Sequence, residues 1–221
     1  MNILIIGASR GIGLEFVRQY AYAGAHVIAT ARSDEGLAKI TALGAKALWV
    51  DVAQPTDLSR LACQLDGMKI DVALYVAGVW ADGNALIPPT QQLFDQTMHA
   101  NVLGAMQTIP QIAPLLEAVG GKFVFISSSM ACIAKVENSA AWVYRVSKAA
   151  LNMAVQSARF DYPKAHFMVV DPDWVLTEMG GAGARISAPE SVLAMRKTIA
   201  AAKKSDANVF WHHDGRTYTG W

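Results

Sequence analysis

Short apolar runs recur along this chain, and a longer segment with helical spacing or composition separates each run from the next. The runs are rich in β-branched residues and nearly free of charge, as expected of strands buried on both faces of a sheet. They lie at residues 2–6, 26–30, 46–50, 71–76, 122–127 and 166–171, with a seventh candidate at 208–211. This alternation predicts an α/β fold of the doubly wound Rossmann type, with helices on both faces of the sheet.

The segments between the runs predict the helices of this fold. They lie at residues 11–23, 35–43, 56–65, 91–119 and 139–162, and a last helix begins near residue 189. Pro110 and Pro114 fall inside the longest segment and predict a kink or an early end there. We expect one domain over residues 1–221, built on a seven-stranded, mostly parallel sheet with strand order 3-2-1-4-5-6-7.

The composition indicates a globular chain without an obvious charged partner. Hydrophobic residues make up 53% and charged residues 17%, and the formal net charge is +1 with no block of like charge. This pattern argues against nucleic acid or an anionic membrane as a partner. Cys63 and Cys132 are far apart and form no CxxC pattern, and no signal peptide or stretch of ~20 apolar residues is present. We therefore expect a soluble cytoplasmic protein.

A glycine-rich turn, GASRGIG, follows the first predicted strand and opens the first predicted helix. Its glycines let the main chain approach a ligand, and the helix that follows offers free N–H groups and a positive dipole end to a pyrophosphate. The alternative is a purely structural tight turn. The candidate cofactor contacts in the turn are Gly7, Ser9, Arg10, Gly11, Ile12 and Gly13.

The end of the second predicted strand bears on which dinucleotide would bind. An acid at this position holds the ribose of NAD, whereas an arginine accommodates the extra phosphate of NADP. Here Arg32 stands at the tip, and Arg10 in the glycine turn could reach the same phosphate. Asp34 could serve NAD if the loop folds back. We predict that NADP(H) is preferred and that NAD(H) can also bind.

Tyr144 and Lys148 lie four residues apart in a segment that reads as helix, so both side chains face the same way. An ammonium beside a phenol lowers its pKa from about 10, and such a phenol exchanges protons with a carbonyl or an alcohol. A solvated surface pair is the alternative. Three serines, Ser127, Ser128 and Ser129, end a predicted strand, where ligands bind in open α/β sheets.

A series of short motifs stands in order along the chain. They are Gly7-x-x-x-Gly11-Ile12-Gly13, Asp51-Val52, Ala77-Gly78, Asn101, Ser128, Tyr144-x-x-x-Lys148 and Pro172-x-x-x-x-Thr177. In this order they resemble the short-chain dehydrogenase/reductase family, and the match runs through essentially the whole chain. The segment YRVSKAALN and the C-terminal part are similar to the small carbonyl-reductase branch that includes the C-factor proteins.

The resemblance implies four catalytic residues. Tyr144 would be the acid/base, and Lys148 would lower its pKa and hold the nicotinamide ribose. Ser128 would orient the carbonyl, and Asn101 would hold a water that links Lys148 to solvent. Cofactor contacts beyond the glycine turn and Arg32 would be Asp51 and Val52 at the adenine, then Ala77, Gly78, Asn101, Tyr144, Lys148, Pro172, Val175 and Thr177.

Three positions depart from the family pattern. Tyr75-Val76 replaces an asparagine pair that ties the sheet, so local packing has to take over there. Asp173 replaces a glycine, and its carboxylate would repel a phosphate-rich cofactor or point to solvent. Ile6 replaces a threonine before the glycine turn.

Other features have competing interpretations. The sequence His212-His213-Asp214 invites a metal ion, but adjacent histidines should point in different directions, so we predict packing and no metal site. The glycines at 180–183 form a substrate loop or a plain helix-to-helix connection. Trp80, Trp142 and Trp174 form an aromatic wall for an apolar substrate or pack in the core.

Together these features predict an oxidoreductase that interconverts a small ketone or aldehyde and an alcohol by hydride transfer. The resemblance also implies a homodimer or homotetramer formed through the helices at 91–119 and 139–162. The first alternative is a redox sensor or regulatory protein that binds a dinucleotide without turnover. The second is the same fold holding another cofactor, such as a methyl donor.

Overall fold

The computed structural model describes residues 1–205 and 210–221 and centres on a seven-stranded sheet. Neighbouring strands are parallel throughout, in the order β3-β2-β1-β4-β5-β6-β9, which confirms the predicted order. The strands of this sheet are β1 (Asn2–Ile6), β2 (His26–Ala31), β3 (Lys46–Trp49), β4 (Val72–Tyr75), β5 (Lys122–Ile126), β6 (His166–Asp171) and β9 (Phe210–His212). The doubly wound α/β prediction is confirmed.

The helices follow the predicted segments within a few residues, except in the longest one. The α-helices are α1 (Gly11–Tyr22), α2 (Asp34–Ala42), α3 (Pro55–Gln64), α4 (Gln91–Met98), α5 (Gly104–Glu117), α6 (Trp142–Ala158) and α7 (Ala188–Ala201). One turn of π-helix, His99–Leu103, joins α4 to α5. No helix in the described ranges is both long and apolar enough to cross a membrane.

Helix α5 continues through Pro110 and Pro114 to Glu117, so the expectation of an early end there is wrong. Each proline removes one backbone hydrogen bond and crowds the preceding turn. The apolar face of the helix, which includes Ile109, Ile112 and Leu116, is nevertheless buried against the sheet. Burying such side chains stabilises the fold by about 1.5–3 kcal/mol each, which offsets the local loss.

Successive side chains of each strand point to opposite faces of the sheet. In β1, Leu4 and Ile6 pack toward α3, α5 and α6, whereas Ile3 and Ile5 pack toward α1, α2 and α7. All four side chains are completely buried. Because both faces are covered by helices, the carboxyl edge of the sheet is the place left for a ligand.

A short second sheet forms after β6. Strand β7 (Val175–Leu176) pairs in parallel with β8 (Ile186–Ser187), and the glycines at 180–183 lie in the loop between them. The Trp174 Nε1 donates to the carbonyl of Gly180 at 2.7 Å, which closes this loop. The helix-to-helix interpretation is therefore wrong, because the segment joins two strands.

The seventh strand of the main sheet is β9, which pairs with β6 from Val169↔Phe210 to Asp171↔His212. The sequence placed this strand at residues 208–211, and residues 208 and 209 lie outside the described residues. After β9 the chain reverses direction, so that Thr217 lies beside Trp211. The Tyr218 hydroxyl then donates to Asp171 Oδ2 at 2.5 Å. The end of β6 is thus covered by the C-terminal segment.

Candidate active site

The carboxyl ends of the central strands surround a cavity of about 670 Å³. Every residue that the sequence predicted for cofactor binding or catalysis lines this cavity, with the exceptions of Asn101 and of Asp34, the alternative contact for NAD. Asn101 is completely buried. The structure therefore brings the separate motifs together at one edge of the sheet.

The glycine turn is sterically required where β1 meets α1. A Cβ atom on Gly7, whose φ is 89°, would lie 2.6 Å from the backbone of Ala77. A Cβ atom on Gly13 would lie 2.2 Å from the carbonyl oxygen of Gly7. Neither distance is tolerable, so the structural interpretation of these two glycines holds, alongside any role in ligand approach.

The N-terminus of α1 opens into the cavity and suits a pyrophosphate. Arg10 occupies the N-cap position without a side-chain cap hydrogen bond, and no acidic residue lies in the first turn. The free N–H groups and the positive end of the helix dipole are thus available to an anion. The residues present therefore fit the phosphate groups of a dinucleotide.

Two ion pairs mark the nucleotide end of the cavity. Arg32 Nη1 lies 3.5 Å from Asp51 Oδ1, and Arg10 pairs with Glu178. Glu178 is not among the predicted site residues, because nothing in the local sequence indicates that its side chain contacts the glycine turn. Asp34, the proposed partner of NAD, begins α2 and does not line the cavity.

The catalytic end of the cavity lies along α6, and its charges are buried. Tyr144 is 7% exposed and Lys148 is 4% exposed, one helical turn apart on the cavity wall. Lys148 Nζ donates to the carbonyl of Ile126 at 2.9 Å and lies 5.7 Å from the centre of the Tyr144 ring. The interpretation of these residues as a solvated surface pair is therefore wrong.

Burial dominates the titration of this pair. It raises the pKa of Tyr144 above its usual value of 10, a hydrogen bond with the Ser128 side chain opposes the rise, and the Asp171 carboxylate adds to it. Burial also lowers the pKa of Lys148 to about 8. In this structure burial outweighs the lowering of the phenol pKa that the sequence predicted, because the Lys148 ammonium is directed at a carbonyl and both groups are buried.

The three serines after β5 have different surroundings, which the sequence could not show. Ser127 is buried and donates to Asn152 Oδ1 at 2.7 Å. Ser129 is exposed. Ser128 interacts with the Tyr144 side chain and accepts the Met130 N–H at 3.1 Å. Ser128 is therefore the serine that lines the cavity and acts on the phenol.

Asn101 lies in the π-helical turn and links two parts of the site. Its Oδ1 accepts the Val79 N–H at 2.7 Å, and its Nδ2 donates to the Val79 carbonyl at 3.0 Å and to Ser147 Oγ at 2.9 Å. These bonds join the chain after β4 to α6. A Cβ atom on Gly78 would lie 3.1 Å from Asn101 Oδ1 and 3.4 Å from Lys148 Nζ. The absence of a side chain at Gly78 therefore lets Asn101 and Lys148 pack close to the backbone there.

Two of the departures from the family pattern have visible consequences. Tyr75 stacks on Phe125 with ring centroids 5.9 Å apart, and its hydroxyl donates to the Ala100 carbonyl at 2.9 Å. Ring packing and this hydrogen bond thus take the place of the asparagine side chains that the family pattern has here. Asp173 has a φ of 68°, in the left-handed region that glycine adopts freely and that Asp and Asn visit more readily than other residues. Its carboxylate accepts the Trp174 N–H at 2.6 Å.

The predicted aromatic wall is formed by two of the three tryptophans. Trp80 and Trp174 line the cavity, and the Trp80 ring lies 4.7 Å from the ring of Tyr144, centre to centre. Trp142 instead packs against a small buried cluster around Tyr144. The core-packing alternative therefore applies to Trp142 alone.

The fold and the site define the class of this protein as a Rossmann-type α/β protein with a tyrosine–lysine pair beside its ligand cavity. A family model described as short chain dehydrogenase matches residues 1–185. The chain belongs to the short-chain dehydrogenase/reductase family and is an oxidoreductase of that family. The resemblance found in the sequence is confirmed.

Known relatives match most or all of the chain. A 1-hydroxy-2-glutathionyl-2-methyl-3-butene dehydrogenase of Rhodococcus is 28% identical over 230 residues, covering 100% of this chain and 99% of that protein. The C-signal protein of Myxococcus xanthus is 32% identical over 66% of this chain and 90% of its own length. A Burkholderia multivorans short-chain dehydrogenase/reductase structure with bound NADP is 28% identical, with a TM-score of 0.89 over 98% of this chain and 97% of its own.

Proposed function

We propose that this protein reduces a small ketone or aldehyde with NADPH, and that Tyr144 donates the proton. The observation that carries the proposal is the buried phenol of Tyr144 on the cavity wall, next to Ser128 and Lys148. The phenol is protonated at neutral pH and can give its proton to the carbonyl oxygen, and the phenolate that remains can take a proton back when an alcohol is oxidised.

Each catalytic side chain has a distinct task in the proposed reaction. Ser128 and Tyr144 hold the carbonyl oxygen by hydrogen bonds, and Tyr144 transfers its proton to that oxygen as the alcohol forms. Lys148 would hold the ribose hydroxyls of a bound cofactor, and it supplies positive charge near the phenolate that remains. Asn101 fixes α6 through Ser147 and the chain after β4 through Val79. A nicotinamide held in the cavity would supply the hydride.

The nucleotide end supports NADPH in preference to NADH. Arg10 and Arg32 both line the cavity, and a guanidinium suits a phosphate because it can donate two parallel hydrogen bonds. Both arginines are paired with carboxylates, Glu178 and Asp51, so the 2′-phosphate has to compete for them. The NADP in the Burkholderia multivorans structure supports this assignment. NADH would bind more weakly.

The substrate end of the cavity is largely apolar. Trp80 and Trp174 line it together with Met130 and Met179. The compact loop between β7 and β8 limits the room beside them. A small, mainly apolar carbonyl compound is therefore the substrate class that we propose.

We also propose that the protein forms a homodimer or homotetramer through the helices α4, α5 and α6. These helices and the residues that follow them carry large exposed apolar side chains, which a monomer would leave in water. They are Phe94, Leu103, Met106, Val119, Val146, Met153 and Phe160. Size-exclusion chromatography with light scattering tests this, and a monomer at micromolar concentration would contradict it.

Cofactor binding and turnover can be measured separately. Titrating NADPH and NADH against tryptophan fluorescence should show saturable quenching, because Trp80 and Trp174 line the cavity. Loss of NADPH absorbance with a panel of aldehydes and ketones should then reveal turnover. Tight NADPH binding without turnover of any carbonyl would support a sensor, and binding of neither dinucleotide would overturn the proposal.

A further inference from the structure

Three metal-binding side chains meet where β6 and β9 end, beside the cavity. They belong to Asp173, His212 and His213, and one ligand atom from each lies within 4.8 Å of the others. Adjacent histidines on an extended chain are expected to point apart, but these two ring centroids lie only 4.4 Å apart, with the planes inclined by 47°. That expectation is wrong, because the chain turns back directly after β9 and does not remain extended.

Asp173 is held ready to act as a ligand. Its backbone is left-handed, and its Oδ1 accepts the N–H of Trp174 at 2.6 Å. Its own N–H donates to Asp171 Oδ1 at 3.1 Å. These bonds fix the carboxylate and leave Oδ2 free to coordinate a cation.

His212 has the partner that metal-binding histidines commonly have. Its Nδ1 lies 2.9 Å from Asp214 Oδ1, and Arg216 Nε in turn donates to Asp214 Oδ2 at 2.8 Å. A carboxylate on one imidazole nitrogen sets the tautomer and directs the other nitrogen at a metal. The remaining nitrogen, Nε2, lies 3.8 Å from Asp171 Oδ2, so a cation there would also meet a buried negative charge.

His213 contributes a nitrogen that lacks a partner. Its Nδ1 is buried and makes no hydrogen bond to any residue that the structure describes. Buried polar atoms without partners are uncommon, so this nitrogen is open to a ligand. A bond from this side chain to a metal would satisfy the imidazole.

We propose that Asp173, His212 and His213 bind a divalent transition-metal ion of the Zn²⁺ type. Two imidazole nitrogens and one carboxylate oxygen are a ligand set that Zn²⁺ accepts, with a water as the fourth ligand. Bonds of ~2.0–2.2 Å require the ligand atoms to move closer together by small side-chain rotations. The ion would fasten the turn after β6 to the chain after β9, and so stabilise the folded protein.

The experiment uses the full chain without a polyhistidine tag, after treatment with a chelator. Co²⁺ is added as a visible-spectrum probe and is then displaced by Zn²⁺, and thermal unfolding is followed with and without Zn²⁺. We expect one ion per chain, tetrahedral Co²⁺ bands and a melting temperature raised by several degrees. Asp173→Asn and His213→Ala should each weaken Zn²⁺ binding by at least tenfold and abolish the rise in melting temperature.

The control is His26→Gln, which changes an exposed histidine at the start of β2. It should bind Zn²⁺ as the parent does. Asp173→Asn retains a side chain that tolerates the left-handed backbone, so loss of binding there cannot be attributed to misfolding. Octahedral Co²⁺ spectra, or equal Zn²⁺ affinity in the parent and Asp173→Asn, would overturn the proposal. None of these readouts depends on catalytic activity.

Discussion

The two ends of the cavity differ in how their charges meet water. At the nucleotide end, the paired side chains of Arg10 and Glu178 are 66% and 72% exposed. At the catalytic end, Lys148 is 4% exposed. An exposed ion pair contributes little to stability and is readily exchanged for a ligand, whereas a buried charge costs the fold several kcal/mol. The nucleotide end should therefore tolerate substitution, and the catalytic end should not.

The largest effect is expected from Tyr144→Phe, which removes the hydroxyl and keeps the ring against Trp80. Carbonyl reduction should fall on the order of 10³-fold, because the proton donor is lost. NADPH affinity should stay within about twofold, since the bulk of the contact surface is unchanged. Steady-state kinetics and fluorescence titration measure the two quantities. A variant that retains a tenth of the activity would rule out Tyr144 as the donor.

Lys148→Met tests how much the buried charge of Lys148 lowers the free energy of unfolding, because that contribution changes with pH. Between pH 8 and 10, the unfolded chain keeps a proton that folded Lys148 has released, so raising the pH favours the folded parent. The stability of the parent relative to the variant should therefore rise by about 1.4 kcal/mol per pH unit in this window. Urea unfolding at several pH values measures it.

The matched control for this experiment is Lys197→Met, which changes an exposed lysine on α7. We expect the difference in stability between the parent and this variant to stay flat over the same pH window. A flat difference for Lys148→Met as well would show that the amine is not buried in solution.

Arg32→Ala sharpens the comparison at the exposed end. The NADPH dissociation constant should rise by about tenfold or more, because a charge-assisted hydrogen bond to the phosphate is worth roughly 1.5–3 kcal/mol. NADH binding should change by less than about twofold, and stability should hardly change. Arg60→Ala, at an exposed arginine on α3, is the control. Equal losses for both cofactors would refute the phosphate assignment.

Glu178→Gln should have the smallest effect, and it should be favourable. Removing this carboxylate frees Arg10, so NADPH should bind about two- to threefold tighter at low salt. The free energy of unfolding should change by less than about 1 kcal/mol. Titration at two salt concentrations and a urea curve provide the measurements. Weaker NADPH binding would show that Glu178 supports the cofactor and does not compete with it.

The fold was predictable because its signals are local and repeated. The apolar runs predicted strands such as β1 and β6 within a residue or two, and the alternation with helices predicted their order. The site motifs were predictable because Tyr144 and Lys148 share a helix face and strand ends converge at one edge. Both kinds of inference need only spacing along the chain.

The predictions that were wrong depend on three-dimensional contacts, which the spacing of residues along the chain does not encode. The pKa of Tyr144 is governed by burial, and burial depends on the packing of Trp80 and of other segments distant in sequence. The pairing of Arg10 with Glu178 joins residues 168 positions apart. The approach of His213 to Asp173 depends on the turn directly after β9, which the strand pattern does not specify.

The π-helical turn His99–Leu103 makes this part of the chain sensitive to length as well as to residue type. Losing one residue there would restore an ordinary helix, but each residue accounts for about 100° of rotation about the axis. Helix α4 and the residues before the deletion would then rotate relative to α5. This rotation would move Asn101 or its neighbours away from Val79 and Ser147. Among related sequences, insertions and deletions should therefore occur in the loops on either side and be absent from the five positions His99–Leu103.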